Sequence, residues 1–103
     1  MTKRSGTRVE HLCMNTLEKA GYVVMRSAAS LGAIDVVAIN ANGVRCIQVK
    51  GESDGRTLRP GELEDVRESL RAMPHPPGVS YELWVWRKGQ GKGRGWVRQE
   101  VVK

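Results

Sequence analysis

The sequence predicts a single α/β domain with a central mixed β-sheet of about five strands flanked by helices, and three observations carry that reading. Candidate elements run helix, three strands, helix, two strands along 103 residues, a length that suits one core. Asn42-Gly43 lies between two Ile/Val runs, the strongest short-range signal for a β-hairpin. Each helical segment carries one apolar stripe, as an element that covers one side of a sheet does. No repeat or boundary interrupts the pattern, so one domain spans residues 1–103.

Residues 7–20 read as the first helix. Val9, Leu12, Cys13, Thr16, Leu17 and Ala20 share its stripe, and Gly21 supplies the stop. Glu10 precedes Leu17 by two turns and so sits about 20° from it around the axis, on the shoulder of the stripe. By spacing alone it is equally a partly exposed helix glutamate. Tyr22–Arg26 reads as a short strand, and Ser27-Ala-Ala-Ser30-Leu-Gly32 as a small-residue loop that permits close approach of a ligand. Ile34–Asn40 and Val44–Lys50 form the hairpin. Gly51 to Arg59 is polar and reads as a mobile connection. Pro60 opens the second helix, whose stripe is Leu63, Val66, Leu70 and Met73, and Pro74-His-Pro76-Pro77 ends it. Val79–Arg87 and Trp96–Val102 read as the last strands, joined by a basic glycine-rich loop, Lys88 to Gly95. That loop lacks the Gly-Lys-Ser/Thr ending of a phosphate-binding P-loop. Neighbours in a strand alternate faces, so Trp84 and Trp86 share a face that Val85 does not; core filling and an interface are both open to that strand.

Seventeen Lys and Arg against eleven Asp and Glu give a formal charge of +6, which suits a polyanionic partner. No apolar run is long enough to span a membrane and no secretory leader is visible, so a cytoplasmic location is expected. Cys13 and Cys46 are isolated thiols without a Cys/His cluster, which argues against zinc. His11 and His75 read as bystanders.

The chemistry concentrates in Leu31 to Lys50. Asp35 stands in an Ile/Val run, where a carboxylate is costly unless its charge is compensated; a bound cation is a natural compensator. A two-residue Asn42-Gly43 loop pairs Asp35 with Lys50. A four-residue Asn40–Gly43 loop pairs it with Gln48. Either register puts Asp35, Gln48 and Lys50 on one face.

These residues resemble the PD-(D/E)XK nuclease superfamily, and within it the archaeal-type Holliday junction resolvases and their small phage-encoded relatives. The resemblance runs from Arg8 to Gly51 and rests on Glu10, Gly21-Tyr22, Met25-Arg-Ser-Ala-Ala-Ser30, Ile34-Asp35-Val-Val-Ala38 and Ile47-Gln48-Val-Lys50 taken together. It implies a restriction-endonuclease-like core and a Mg²⁺-dependent endonuclease, with Mn²⁺ substituting, that resolves four-way DNA junctions as a homodimer. Asp35, Gln48 and the Val49 carbonyl would hold the cation, with Glu10 helping. Lys50 would position the attacking water, and Ser30 matches a serine near the scissile phosphate. Arg8 and Arg26 match basic positions that grip the DNA backbone. On charge alone Lys3, Arg4, Lys88, Lys92 and Arg94 join that grip. The departure is Gln48, which stands where a glutamate is usual; an amide oxygen ligates a cation but brings no negative charge. Two other readings remain: a superfamily nuclease for nicked, flapped or mismatched DNA, or a DNA-binding module with a decayed site. An Asp35–Lys50 structural ion pair is the plain alternative to a metal site, and a buried pair repays its desolvation poorly.

Overall fold

The computed structural model describes residues 2–27, 34–52, 57–88 and 95–103, with side chains from Arg8 onward. Its elements are α1 (Thr2–Lys19), β1 (Val23–Arg26), β2 (Val36–Asn40), β3 (Gly43–Glu52), α2 (Pro60–Arg71), β4 (Val79–Arg87) and β5 (Gly95–Val102). The five strands form one sheet in sequence order. β1, β2 and β3 are antiparallel neighbours, β3 and β4 are parallel, and β4 and β5 are antiparallel. The parallel step needs a long crossover, and α2 provides it.

The helices cover opposite faces. Val9, Cys13 and Leu17 of α1 pack on Val36, Ala38, Ile47, Val49 and Trp84. Val66 and Leu70 of α2 pack with Ile34, Tyr81, Leu83, Val85 and Val102 on the other side. α1 lies over β1 to β3, and α2 over β4 and β5. The α2-side face of β1 and β2 is left largely uncovered, with Val23 68% and Met25 51% exposed beside Ile39. On the strand whose two roles were open, both faces belong to the core. Trp84 and Trp86 stand on the α1 side, each edge-on to Trp96 at 5.0 Å, and Val85 is buried on the other.

Beneath α1 lies a partly buried ion pair. The Arg45 guanidinium donates to both carboxylate oxygens of Glu82 at 2.6 and 2.7 Å. Glu82 also accepts from Ser80 Oγ and Trp84 Nε1. Burial raises the Glu82 carboxyl, but the Arg45 fork and the Trp84 N–H outweigh it and hold the pKa below the ordinary value.

Besides α1, which begins at Thr2 rather than at residue 7, two sequence expectations shift. The hairpin turn falls at Ala41 and Asn42 rather than at Asn42-Gly43, because Asn40 pairs with Gly43; the strand register is that of the four-residue alternative, which runs Asp35 toward Gln48 and not Lys50. The Asn40 side chain accepts the Asn42 N–H at 2.8 Å and closes the turn. Gly43 keeps the glycine for two reasons: its φ is +145°, and a Cβ there would strike the Gly78 carbonyl. The second shift concerns the connection after Lys50, read as mobile from Gly51 onward. Gly51 and Glu52 instead extend β3, and Glu52 is buried. Glu52 accepts from Arg87 and from the Leu58 N–H, which accounts for its burial. Residues 53–56 lie outside the described part.

Candidate active site

The site is built where β2 leaves the sheet. The regular ladder between β2 and β3 ends at Val36 opposite Ile47. Asp35, one residue earlier, does not continue the ladder. Its N–H donates to the Ile47 carbonyl at 2.9 Å, and its carbonyl accepts the Ser27 N–H at 2.8 Å. Its side chain takes over the bond the missing strand would have made: Oδ2 accepts the Val49 N–H at 2.9 Å. The N–H and C=O of one strand residue project to the same edge. The Val49 carbonyl therefore opens toward the edge that Asp35 occupies.

Asp35 is thus half-buried at a strand edge rather than inside the apolar strand, and the cost of its charge is visible. Burial pushes its carboxyl above the ordinary value, although the Val49 N–H and the Lys50 ammonium pull the other way. Glu10 approaches from α1 and is raised as well, first by burial and then by repulsion from Asp35, with Arg26 and His11 opposing. Arg26 Nη1 lies 3.7 Å from Glu10 Oε1. Both carboxyls are raised chiefly by burial, and Glu10 in addition by the charge of Asp35.

Gln48 and Lys50 project from β3 toward α2. They line an open cleft of about 680 Å³ with Glu62, Asp65, Val66, Ser69 and Met73. The single face expected for Asp35, Gln48 and Lys50 is therefore only partly realised. Gln48 and Lys50 share the cleft, whereas the carboxylate of Asp35 is bound to the Val49 N–H on the β3 edge. The α2 residues of the cleft escaped the sequence reading. Their signal was there: Glu62, Asp65 and Ser69 recur at helical spacing beside the apolar stripe to which Val66 and Met73 belong. Arg8 is an exposed residue of α1. The Lys88 N–H donates to the Glu52 carbonyl at 2.8 Å, which ties the start of the basic loop to the end of β3. Ser30, Lys92 and Arg94 lie outside the described residues, as do the side chains of Lys3 and Arg4. Cys13 is deeply buried, its thiol pushed up to about 12 first by burial and then by Glu82, and is chemically inert.

The donor set fits a hard divalent cation. Among the described residues no three His, Cys, Asp or Glu side chains cluster as metal ligands. Oxygen ligands need not all be carboxylates, however: two carboxylates, an amide oxygen and a main-chain carbonyl are the donors such ions take.

A mixed sheet in this order, with an Asp at a broken strand edge and a Lys beyond it on the neighbouring strand, is the arrangement expected of the PD-(D/E)XK class of nucleases. Within that class the match is specific. Residues 1–73 match the family model described as archaeal Holliday junction resolvase (Hjc), and the chain belongs to that family of structure-selective junction nucleases. Among solved structures it is similar to the Archaeoglobus fulgidus Hjc, a Holliday junction resolvase from an archaeal hyperthermophile. The TM-score is 0.65 at 24% identity, over 95% of this chain and 73% of that one. Comparison with curated protein sequences found no significant match.

Proposed function

We propose that this chain cleaves four-way DNA junctions by divalent-cation-dependent phosphodiester hydrolysis, using Mg²⁺ or Mn²⁺ and acting as a homodimer. The observation that carries the reading is the Asp35 carboxylate, fixed by the Val49 N–H beside Glu10 and within the field of Lys50. Asp35, Gln48, the Val49 carbonyl and Glu10 would hold the cation. When bound, such an ion polarises the scissile phosphate and makes water a better nucleophile. Lys50 orients the attacking water and offsets charge that develops on the phosphate oxygens. Arg8 and Arg26 hold the backbone, with Lys3, Arg4, Lys88, Lys92 and Arg94 extending the grip. Ser30 keeps the role the resemblance gives it, beside the scissile phosphate.

Two arguments support the homodimer. A four-way junction presents two symmetric strands to cut, which suits a two-fold pair of sites. The exposed Val23, Met25 and Ile39 offer an apolar surface of the kind a second copy covers. Among the described residues no helix is long and apolar enough to cross a membrane.

The test is to incubate the protein with Mg²⁺ and a panel of four-way junction, flap, nicked and linear duplex DNA, and to measure its mass by sedimentation. Paired cuts in the junction alone, by a species of twice the chain mass, are expected. Equal cleavage of flap and nicked duplex would move the substrate to branched DNA in general. No cleavage of any substrate in Mg²⁺ or Mn²⁺ would overturn the assignment.

A further inference from the structure

Arg26 ends β1 opposite Val36, one residue from Asp35 along the partner strand. Its guanidinium lies 3.7 Å from Glu10, with the two side chains 36% and 22% exposed. An ion pair that long and that wet is weak and exchanges readily. Glu10 nonetheless gains from it, because Asp35 repels the same carboxylate. The cation that Glu10 meets in this structure is therefore the side chain that the family resemblance assigns to DNA.

We infer that Arg26 couples the enzyme's two ligands: it holds Glu10 while no DNA is bound and exchanges onto a backbone phosphate when DNA arrives, so that DNA and the divalent cation each strengthen the binding of the other. The inference rests on Asp35 and Glu10 being the cation-holding carboxylates. A divalent ion entering beside them meets the guanidinium at a few Å and is repelled by it. It also competes with that guanidinium for Glu10. A phosphate removes both obstacles, since it neutralises Arg26 and offers it a bidentate, charge-assisted partner in place of a long pair. Linkage makes the effect reciprocal: the factor by which DNA tightens the cation is the factor by which the cation tightens DNA. Arg26 is on this account a positioning residue, and the chain loads its cation chiefly where there is a strand to cut.

The test uses Ca²⁺, a hard ion that takes the same oxygen donors, as the probe. Ca²⁺ binding to the DNA-free protein is measured by calorimetry. Affinity for a fluorescent four-way junction is measured by anisotropy with and without Ca²⁺ at constant ionic strength. Wild-type junction affinity should rise roughly five- to tenfold with Ca²⁺, at the lower end of typical couplings. Arg26→Ala should tighten Ca²⁺ binding to the free protein by a similar factor and remove the Ca²⁺-dependent gain in junction affinity. Arg26→Lys, which keeps the charge, should retain most of the coupling. In a Glu10→Gln background the Arg26→Ala change should shift the Ca²⁺ midpoint less than in wild type, because competition for Glu10 is gone and only direct repulsion remains, whereas a merely structural effect of Arg26 would persist there in full. If Asp35→Asn abolishes Ca²⁺ binding but Arg26→Ala and Arg26→Lys change neither quantity, the coupling is wrong and the site stands. If Ca²⁺ binds equally well without Asp35, the site itself is wrong and the coupling falls with it.

Discussion

Replacing Asp35 separates the two things its carboxylate does. Its Oδ2 accepts the Val49 N–H at 2.9 Å, and its charge sits where burial raises the carboxyl. Asparagine keeps an oxygen acceptor and removes the charge; alanine removes both. Because the folded chain holds this proton to higher pH than the unfolded chain, the ionised form costs stability. That cost is absent below the ordinary value of 3.8, grows as pH rises through the raised folded value, and is complete at neutrality. Asp35→Asn should therefore melt above wild type at pH 7 without added metal, and level with it near about pH 3. Asp35→Ala leaves the Val49 N–H without its acceptor, a loss of about 1–3 kcal/mol. It should melt below the asparagine variant by roughly 4–8 °C per kcal/mol in a domain of this size. Mg²⁺ at tenfold its Kd adds about 1.4 kcal/mol to a chain that binds it. Wild type should show that shift and both variants should lack it. Calorimetry at two pH values, with and without Mg²⁺, reads all of this. A metal-free wild type more stable than Asp35→Asn at pH 7 would refute the charge argument. A Mg²⁺ shift surviving in both variants would refute the cation assignment.

Gln48→Glu adds a ligand charge at nearly the same length and should lower the midpoint of a Mg²⁺ titration of cleavage; an unmoved midpoint means Gln48 does not meet the ion. Glu82→Ala strands the Arg45 guanidinium beneath α1 and should cost about 3–5 kcal/mol by urea denaturation. Arg45 holds the Glu82 pKa down, so its stabilisation is present above the ordinary value of 4.5 and lost as pH falls through the folded value. Glu82→Gln should therefore flatten acid unfolding below that point, and an unchanged acid limb counts against the pair. Junction affinity should fall with log salt at a slope of about −5 to −9 if a dimer meets roughly six to ten phosphates; a slope near zero excludes a phosphate-dominated interface.

The elements were legible because periodicity and punctuation agree in this chain. Val79–Arg87 is bounded as the sequence reads it, with Gly78 before it and a basic loop after. Pro60 opens α2 as expected. The missed details are those that depend on side-chain partners distant in sequence. Nothing local says that Glu52 meets Arg87 or that Glu82 meets Arg45, so a polar stretch read as a loop proved to be a strand end. The pairing of Asn40 with Gly43 is set partly by Gly78, which is far away in sequence and close in space. At the site, Asp35, Gln48 and Lys50 were legible as a group because strand parity ties them together. The bend that carries Asp35 to the β3 edge was not, since parity holds only while the ladder lasts. Glu10 on the shoulder of its stripe was open between solvent and site, since helical spacing does not show that Arg26 of β1 lies 3.7 Å from it.

Glu52 gives the chain a hinge-free splice point. One carboxylate oxygen takes Arg87, the other takes the Leu58 N–H, and its main-chain carbonyl takes the Lys88 N–H. β3 is therefore anchored two residues beyond Lys50, and the ends of the following connection are pinned to one residue. The length of that connection is decoupled from the placement of Lys50. Extra flexible residues there carry little more than closure entropy, about 0.6 kcal/mol for each doubling. A sequence-reading module inserted between Glu52 and Leu58 would ride on the nuclease without disturbing it, a route by which an enzyme that reads DNA shape acquires an address.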